Sequence, residues 1–164
     1  MKSQAVKHKG KLVNEKIDRS KLLIPALGGL YEKFAPYSYA FMRFAAGAVL
    51  VPHGVQKVLF NSPDSFANNI SGKGLPFAGV LAILVFFTES VAAICLALGL
   101  FTRIAALMIF VQMTVVITVF QWQYGYFWTN RGIEYALLWW LLCLAIFFRG
   151  GGRYSLDYYL GKEF

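Results

Sequence analysis

The sequence predicts an all-α membrane protein, a four-transmembrane-helix bundle with both termini in the cytoplasm. Three observations predict it. First, the 164 residues are 58% hydrophobic and only 15% charged, with mean hydropathy +0.55. Soluble domains run about 45–50% apolar and about 25% charged. Second, four apolar runs at 38–60, 77–98, 103–123 and 130–149 each reach the roughly 20 residues that cross a bilayer as a helix. They lack period-2 alternation and are too long for barrel strands, which leaves helices. Third, the basic residues are lopsided. Lys2, Lys7, Lys9, Lys11, Lys16, Arg19, Lys21 and Lys33 all precede the first run. Arg103, Arg149, Arg153 and Lys162 fall on the same side of an antiparallel bundle, and only Lys73 and Arg131 fall on the other. The side rich in Lys and Arg faces the cytoplasm.

The elements follow in order. Residues 1–36 read as a basic tail, solvated or touching anionic headgroups, with weak amphipathic character from Lys11 to Ile24. Its charge resembles a nucleic-acid footprint, but no binding module accompanies it, so nucleic acid is not expected as a partner. Nor is the tail a secretory signal, because no short apolar core with a small-residue cleavage site follows. Pro25, Gly28 and Gly29 break any long helix there, and Pro36 marks entry to the first span. Residues 37–150 form the transmembrane domain. Within it Asn61 to Pro76 reads as a loop, and Asn69-Ile70-Ser71 is formally a glycosylation sequon. Leu98-Gly99 to Arg103 makes a tight hairpin, and Gln121 to Trp128 is an aromatic interface. Gly150-Gly151-Gly152 then forces a flexible turn into a short cytoplasmic tail, 151–164.

The chemistry lies inside the apolar runs. Glu89 stands at the centre of the second, where a carboxylate costs about 2.5–3.5 kcal/mol on insertion scales. Arg43, His53 and Lys57 lie in the first run and Glu134 in the fourth. A helix turns by about 100° per residue, so Arg43, Gly47, Gly54, Lys57 and His53 all fall within about one third of its circumference. One face therefore carries the polar groups, and its glycines allow close helix approach. At about 1.5 Å per residue, Arg43 lies roughly 8 Å and Glu89 roughly 14 Å from the cytoplasmic end. Arg43–Glu89 is thus the expected structural ion pair, and Lys57–Glu134 the second, with His53 one turn deeper. Gln112, Thr114, Thr118 and Gln121 are in position to join them.

Two readings of this cluster compete. In one, the pairs only fix helix register. In the other, His53, Lys57 and Glu134 bind an anion or a quinone headgroup, or relay protons. Trp139 and Trp140 read as packing residues. Cys95 and Cys143 share similar depth and read as small buried hydrophobes rather than a redox pair. No Cys/His spacing suits a metal, and too few ligands exist for haem, flavin or iron–sulfur.

Seven features in order resemble the DoxX family of small four-helix membrane proteins. They are Arg43; His53-Gly54 with Lys57; Gly74 and Pro76; Glu89; Leu98 to Arg103; Gly132-x-Glu134-Tyr135; and Gly150-x-Gly152-x-x-Ser155-Leu156-Asp157. The resemblance covers about residues 38–160 and implies a four-helix bundle in a prokaryotic inner membrane. It also implies a link to respiration, since the related DoxD subunit belongs to a thiosulfate:quinone oxidoreductase. Other relatives are associated with oxidative-stress complexes or have no assigned activity. The resulting expectation is a subunit of a membrane redox complex that interacts with quinone, with lipids and other membrane subunits as partners and no covalently bound cofactor. The alternative is a non-catalytic accessory or assembly subunit. A small transporter is disfavoured by the lack of broken helices and inverted repeats.

Overall fold

The computed structural model describes residues 17–60 and 63–162, and every regular element among them is helical. The chain divides into two units, one ending at Pro36 and one beginning at Tyr37. In the first, Asp18 caps a 3-10 turn at Arg19–Lys21 by accepting from the Ser20 amide at 3.1 Å. A second turn follows at Pro25–Leu27. Arg19 Nη2 donates to Glu32 Oε2 at 2.6 Å. Lys2 to Lys16 lie outside the described residues. Of the stretch Lys11 to Ile24, the described part holds one short turn rather than an amphipathic helix.

Helix α1 runs from Gly28 to Leu59. It therefore starts earlier than the expected entry at Pro36 and continues through that proline and Pro52. Gly28 and Gly29 open the helix instead of breaking it. α2, Pro63–Ser71, replaces part of the expected loop. Its Phe66 and Ile70 stand one helical turn apart, a spacing that the surrounding Asn and Ser conceal. α3 is Ala78–Leu98 and α4 is Thr102–Tyr124. Each is interrupted by a π-helical segment, Thr88–Ala92 in α3 and Val116–Gln121 in α4. After a short 3-10 turn at Trp128–Asn130, α5 spans Glu134–Arg149 and packs along α4. A last short helix, α6, is Leu156–Leu160.

Among the described residues, three helices are long and apolar enough to cross a membrane: Pro25–Lys57, Ala78–Leu98 and Thr102–Tyr124. α5 has 16 residues, about 24 Å at 1.5 Å per residue against a hydrocarbon core of about 30 Å. The core between the helices is small-residue packing. Ala46, Ala93, Ala105 and Ala106 are buried beside Leu96 and Ile109. Large apolar side chains such as Phe41, Val80, Ile83 and Phe148 face outward, as expected where the surrounding solvent is lipid.

The expected close approach at the glycines of α1 is present. A Cβ on Gly47 would meet the Ala93 carbonyl oxygen and lie 2.5 Å from the Ala97 amide nitrogen. One on Gly54 would sit 2.7 Å from the Glu89 carbonyl oxygen. These two contacts fix the antiparallel register of α1 on α3. Gly54→Ala should therefore lower stability by about 1–3 kcal/mol through overpacking. Gly79→Ala, where nothing lies within 4 Å, should be neutral or raise it by about 0.5–1 kcal/mol. Unfolding titrations of both variants in mixed detergent check the contrast.

Candidate functional site

Gly54 lets the backbone of α1 touch that of α3 at Glu89, and Lys57 follows one helical turn later. Lys57 Nζ donates to Glu89 Oε2 as a partly buried ion pair. Gln112 Nε2 of α4 donates to Glu89 Oε1 at 2.6 Å. Glu89 is 5% exposed and so receives one cationic and one neutral donor, one on each oxygen. Removing either would leave a buried charge short of compensation. The carboxylate also stands inside the π segment of α3. A π turn adds a residue and re-aims side chains, and such bulges gather at functional sites.

A cavity of about 580 Å³ opens against this cluster. Its polar edge is Lys57, Glu89, Gln112 and Gln121, the last closing the π segment of α4. Its walls are apolar, with Phe66 and Ile70 of α2, Leu84 of α3 and Val111 of α4. Phe66 stacks on Phe86 at 5.6 Å and lies 5.6 Å from the Lys57 ammonium. α2 thus closes one side of the cavity and covers the lysine. The Oε1 atoms of Gln112 and Gln121 are both buried without a hydrogen-bond partner. Thr88, also on the wall, turns its hydroxyl back to the Leu84 carbonyl at 2.8 Å.

A second polar centre lies toward the opposite end of the bundle. Arg43 is 2% exposed, and its guanidinium donates to the carbonyls of Gly151 and Tyr154. Gly99 ends α3 with φ +71, and a Cβ there would lie 2.5 Å from Arg43 Cζ. Only glycine both adopts that backbone and leaves room for the arginine. Asp157 is 1% exposed and caps α4. It accepts from the Phe101 amide at 2.7 Å, the Thr102 amide at 2.9 Å and the Thr102 hydroxyl at 2.6 Å. Its own amide donates to the Gly99 carbonyl at 2.9 Å. The expected flexible turn and tail after residue 150 are therefore a packed strap. Its Gly151 and Tyr154 carbonyls point at Arg43, and its aspartate points at the α3–α4 turn.

The expected partners are corrected accordingly. Arg43 and Glu89 are not an ion pair. The register set by Gly47 and Gly54 places Arg43 level with Gly99, at the end of α3, while Glu89 lies beside Gly54, about 16 Å along α1. Lys57 pairs with Glu89 rather than with Glu134. Glu134 opens α5, where its carboxylate accepts from the Trp128 amide at 3.1 Å and holds the aromatic loop. His53 is exposed on the surface of α1 and does not line the cavity. Of His53, Lys57 and Glu134, only Lys57 reaches the site. Thr114 and Thr118 bond back to their own helix. Trp139 donates to the Ala46 carbonyl at 3.0 Å and Trp140 to Thr114 at 2.9 Å, as packing residues do. Cys95 and Cys143 are free thiols. Nothing local in the sequence signals the role of Asp157, because a cap reaching back to a distant turn leaves no periodicity around it.

The DoxX family profile matches residues 38–122. The chain belongs to the DoxX family. An uncharacterised protein of Haemophilus influenzae is 33% identical over 138 residues, covering 77% of this chain and 92% of the relative. No solved structure matches. Family membership and the three apolar helices make this a membrane protein. The family match ends before the strap, yet Gly99 and Arg43, which the strap engages, lie within it.

Two outcomes check the pairing. Lys57→Met and Glu89→Gln should each cost about 3–5 kcal/mol, and the double variant should recover part of that loss. Arg43→Met combined with Glu89→Gln should be additive. Separately, Asp157→Ala should lose about 1–3 kcal/mol by orphaning the Phe101 and Thr102 donors, measured by unfolding in detergent.

Proposed function

We propose that this DoxX-family protein is a subunit of a membrane-bound redox complex in a prokaryotic inner membrane, and that it binds quinone in the Lys57–Glu89–Gln112 cavity. The observation that carries this reading is the pairing of an apolar chamber of about 580 Å³ with one polar edge. A quinone has the same division, a ring with two oxygens and an apolar chain. Small-molecule sites are usually such apolar pockets with few convergent polar groups. Lys57 and Gln112 orient the head group, and the walls from α2, α3 and α4 hold the chain. The Lys57–Glu89 pair also offers a place where a proton is held within the bilayer at reduced cost.

Both termini face the cytoplasm in this reading, on the basic-residue asymmetry. α5 then makes the fourth crossing, lengthened by the residues of the Trp128–Ile133 turn. The other reading is a non-catalytic accessory or assembly subunit. It is favoured by one observation: Arg43, Asp157 and Glu134 are all engaged within the chain itself.

Extraction of the protein purified in mild detergent separates the two. Quinone should co-purify with the wild type and fall at least tenfold in the folded Lys57→Met/Glu89→Leu double variant. His53→Ala should retain it. A stable redox partner that co-purifies while no quinone is extracted would establish the accessory reading instead.

A further inference from the structure

The cavity is covered at one end and open along one flank. α2 roofs the end where α1 finishes and α3 begins. It is a short amphipathic helix: Phe66 and Ile70 line the cavity, while Asp64, Asn68 and Asn69 are exposed. Ile70 is buried, and Phe66 lies against the Phe86 ring and the Lys57 ammonium. The flank is different. Leu84 of α3 and Leu107, Val111 and Val115 of α4 line the cavity, yet all four are also exposed on the outside of the bundle, Val111 by 53%. The three α4 residues recur at every fourth position and so form one stripe about 12 Å long. Both helices are long and apolar enough to cross a membrane, so this flank opens on lipid. Glu89 and Gln112 lie at the depth of the stripe, since Gln112 follows Val111 in α4 and donates to Glu89. The Lys57 ammonium, also on the wall, keeps two N–H donors beyond the one given to Glu89. A head group held there has an apolar way out for any chain attached to it.

We infer that the cavity is entered sideways from the bilayer, through the opening that Leu84, Leu107, Val111 and Val115 border, and that a bound quinone leaves its chain in this opening with the far end in lipid. The ligands it fits are long-chain, membrane-resident quinones, and the site reads the head group rather than the length of the chain. This rests on the quinone reading above and adds the class of quinone and its path. An octaprenyl chain extends to about the 30 Å thickness of the hydrocarbon core. A cavity of about 580 Å³ does not enclose such a chain, and an open flank does not need to. Passing from lipid to the apolar wall, the chain exchanges one apolar surrounding for another. Its length therefore adds little to affinity once the ligand is in the bilayer.

The test uses the full chain in lipid nanodiscs. Binding of a decyl-substituted and an octaprenyl-substituted benzoquinone with the same ring is measured, with affinity expressed as mole fraction of ligand in the lipid. The two should agree within about threefold. Octaprenyl binding more than tenfold weaker would mean that the chain is enclosed, and would overturn the lateral path while leaving the quinone reading standing. A decyl analogue with a diazirine at the chain end locates the chain. Labelling that excess octaprenyl quinone competes away should fall on the peptides carrying Leu84, Leu107, Val111 or Val115. Competed labelling of α2 at Phe66 or Ile70 would overturn the path instead. Trapping of Val111→Cys as a disulfide-linked dimer in the bilayer would mean that a second copy covers the opening, and would also overturn it. If neither quinone binds, the quinone reading fails and this inference with it.

Discussion

The buried pair between Lys57 and Glu89 is the interaction on which the arrangement of this bundle depends. A carboxylate in the middle of an apolar helix is tolerated only if another helix brings a counter-charge to it. That requirement sets the spacing of α1 and α3. Gly54 must remain glycine for the backbones to touch, and Lys57 must stand one turn further on for its ammonium to reach. α4 then turns Gln112 toward the other carboxylate oxygen. Three helices are thereby tied at one depth. The apolar residues around the tie do not close over it, and the cavity remains.

The two polar centres along α1 are organised by different means. At Lys57 the charge is answered by a carboxylate, beside open space walled by α2. At Arg43 the charge is answered by carbonyls of the strap, in a centre with little room. There Gly99 touches the guanidinium, and Tyr39 donates to the Gly150 carbonyl while its ring lies 4.1 Å from the Arg149 guanidinium. Asp157 completes that end by capping α4, whose first amides have no partner within the helix. One end is thus a closed structural lock. The other combines a buried charge pair, an adjoining cavity and two π segments.

The helical class, the membrane setting and the close glycine approach are all legible from composition and from the positions of Gly47 and Gly54. The choice of ion-pair partners is not. Depth counted from assumed helix ends puts Arg43 beside Glu89 because it takes the ends of α1 and α3 as level, whereas Arg43, well inside α1, is level with Gly99 at the very end of α3. The glycines carry the missing information: paired small residues set register more firmly than do estimated ends. The strap is illegible for another reason. Three consecutive glycines signal freedom locally, and only the arginine at position 43 and the turn at Gly99 convert them into a fixed path.

The central claim is that Glu89 is ionised within the bundle and held by Lys57. Isotope-edited infrared spectroscopy tests it most directly. The protein is labelled at its glutamate carboxyl carbons, reconstituted in lipid at neutral pH, and compared with the labelled Glu89→Gln variant. The difference spectrum should show loss of a carboxylate stretch, and the Lys57→Met protein should convert that band to a protonated carboxyl stretch. A protonated carboxyl band for Glu89 in the wild type, unchanged in Lys57→Met, would contradict the account.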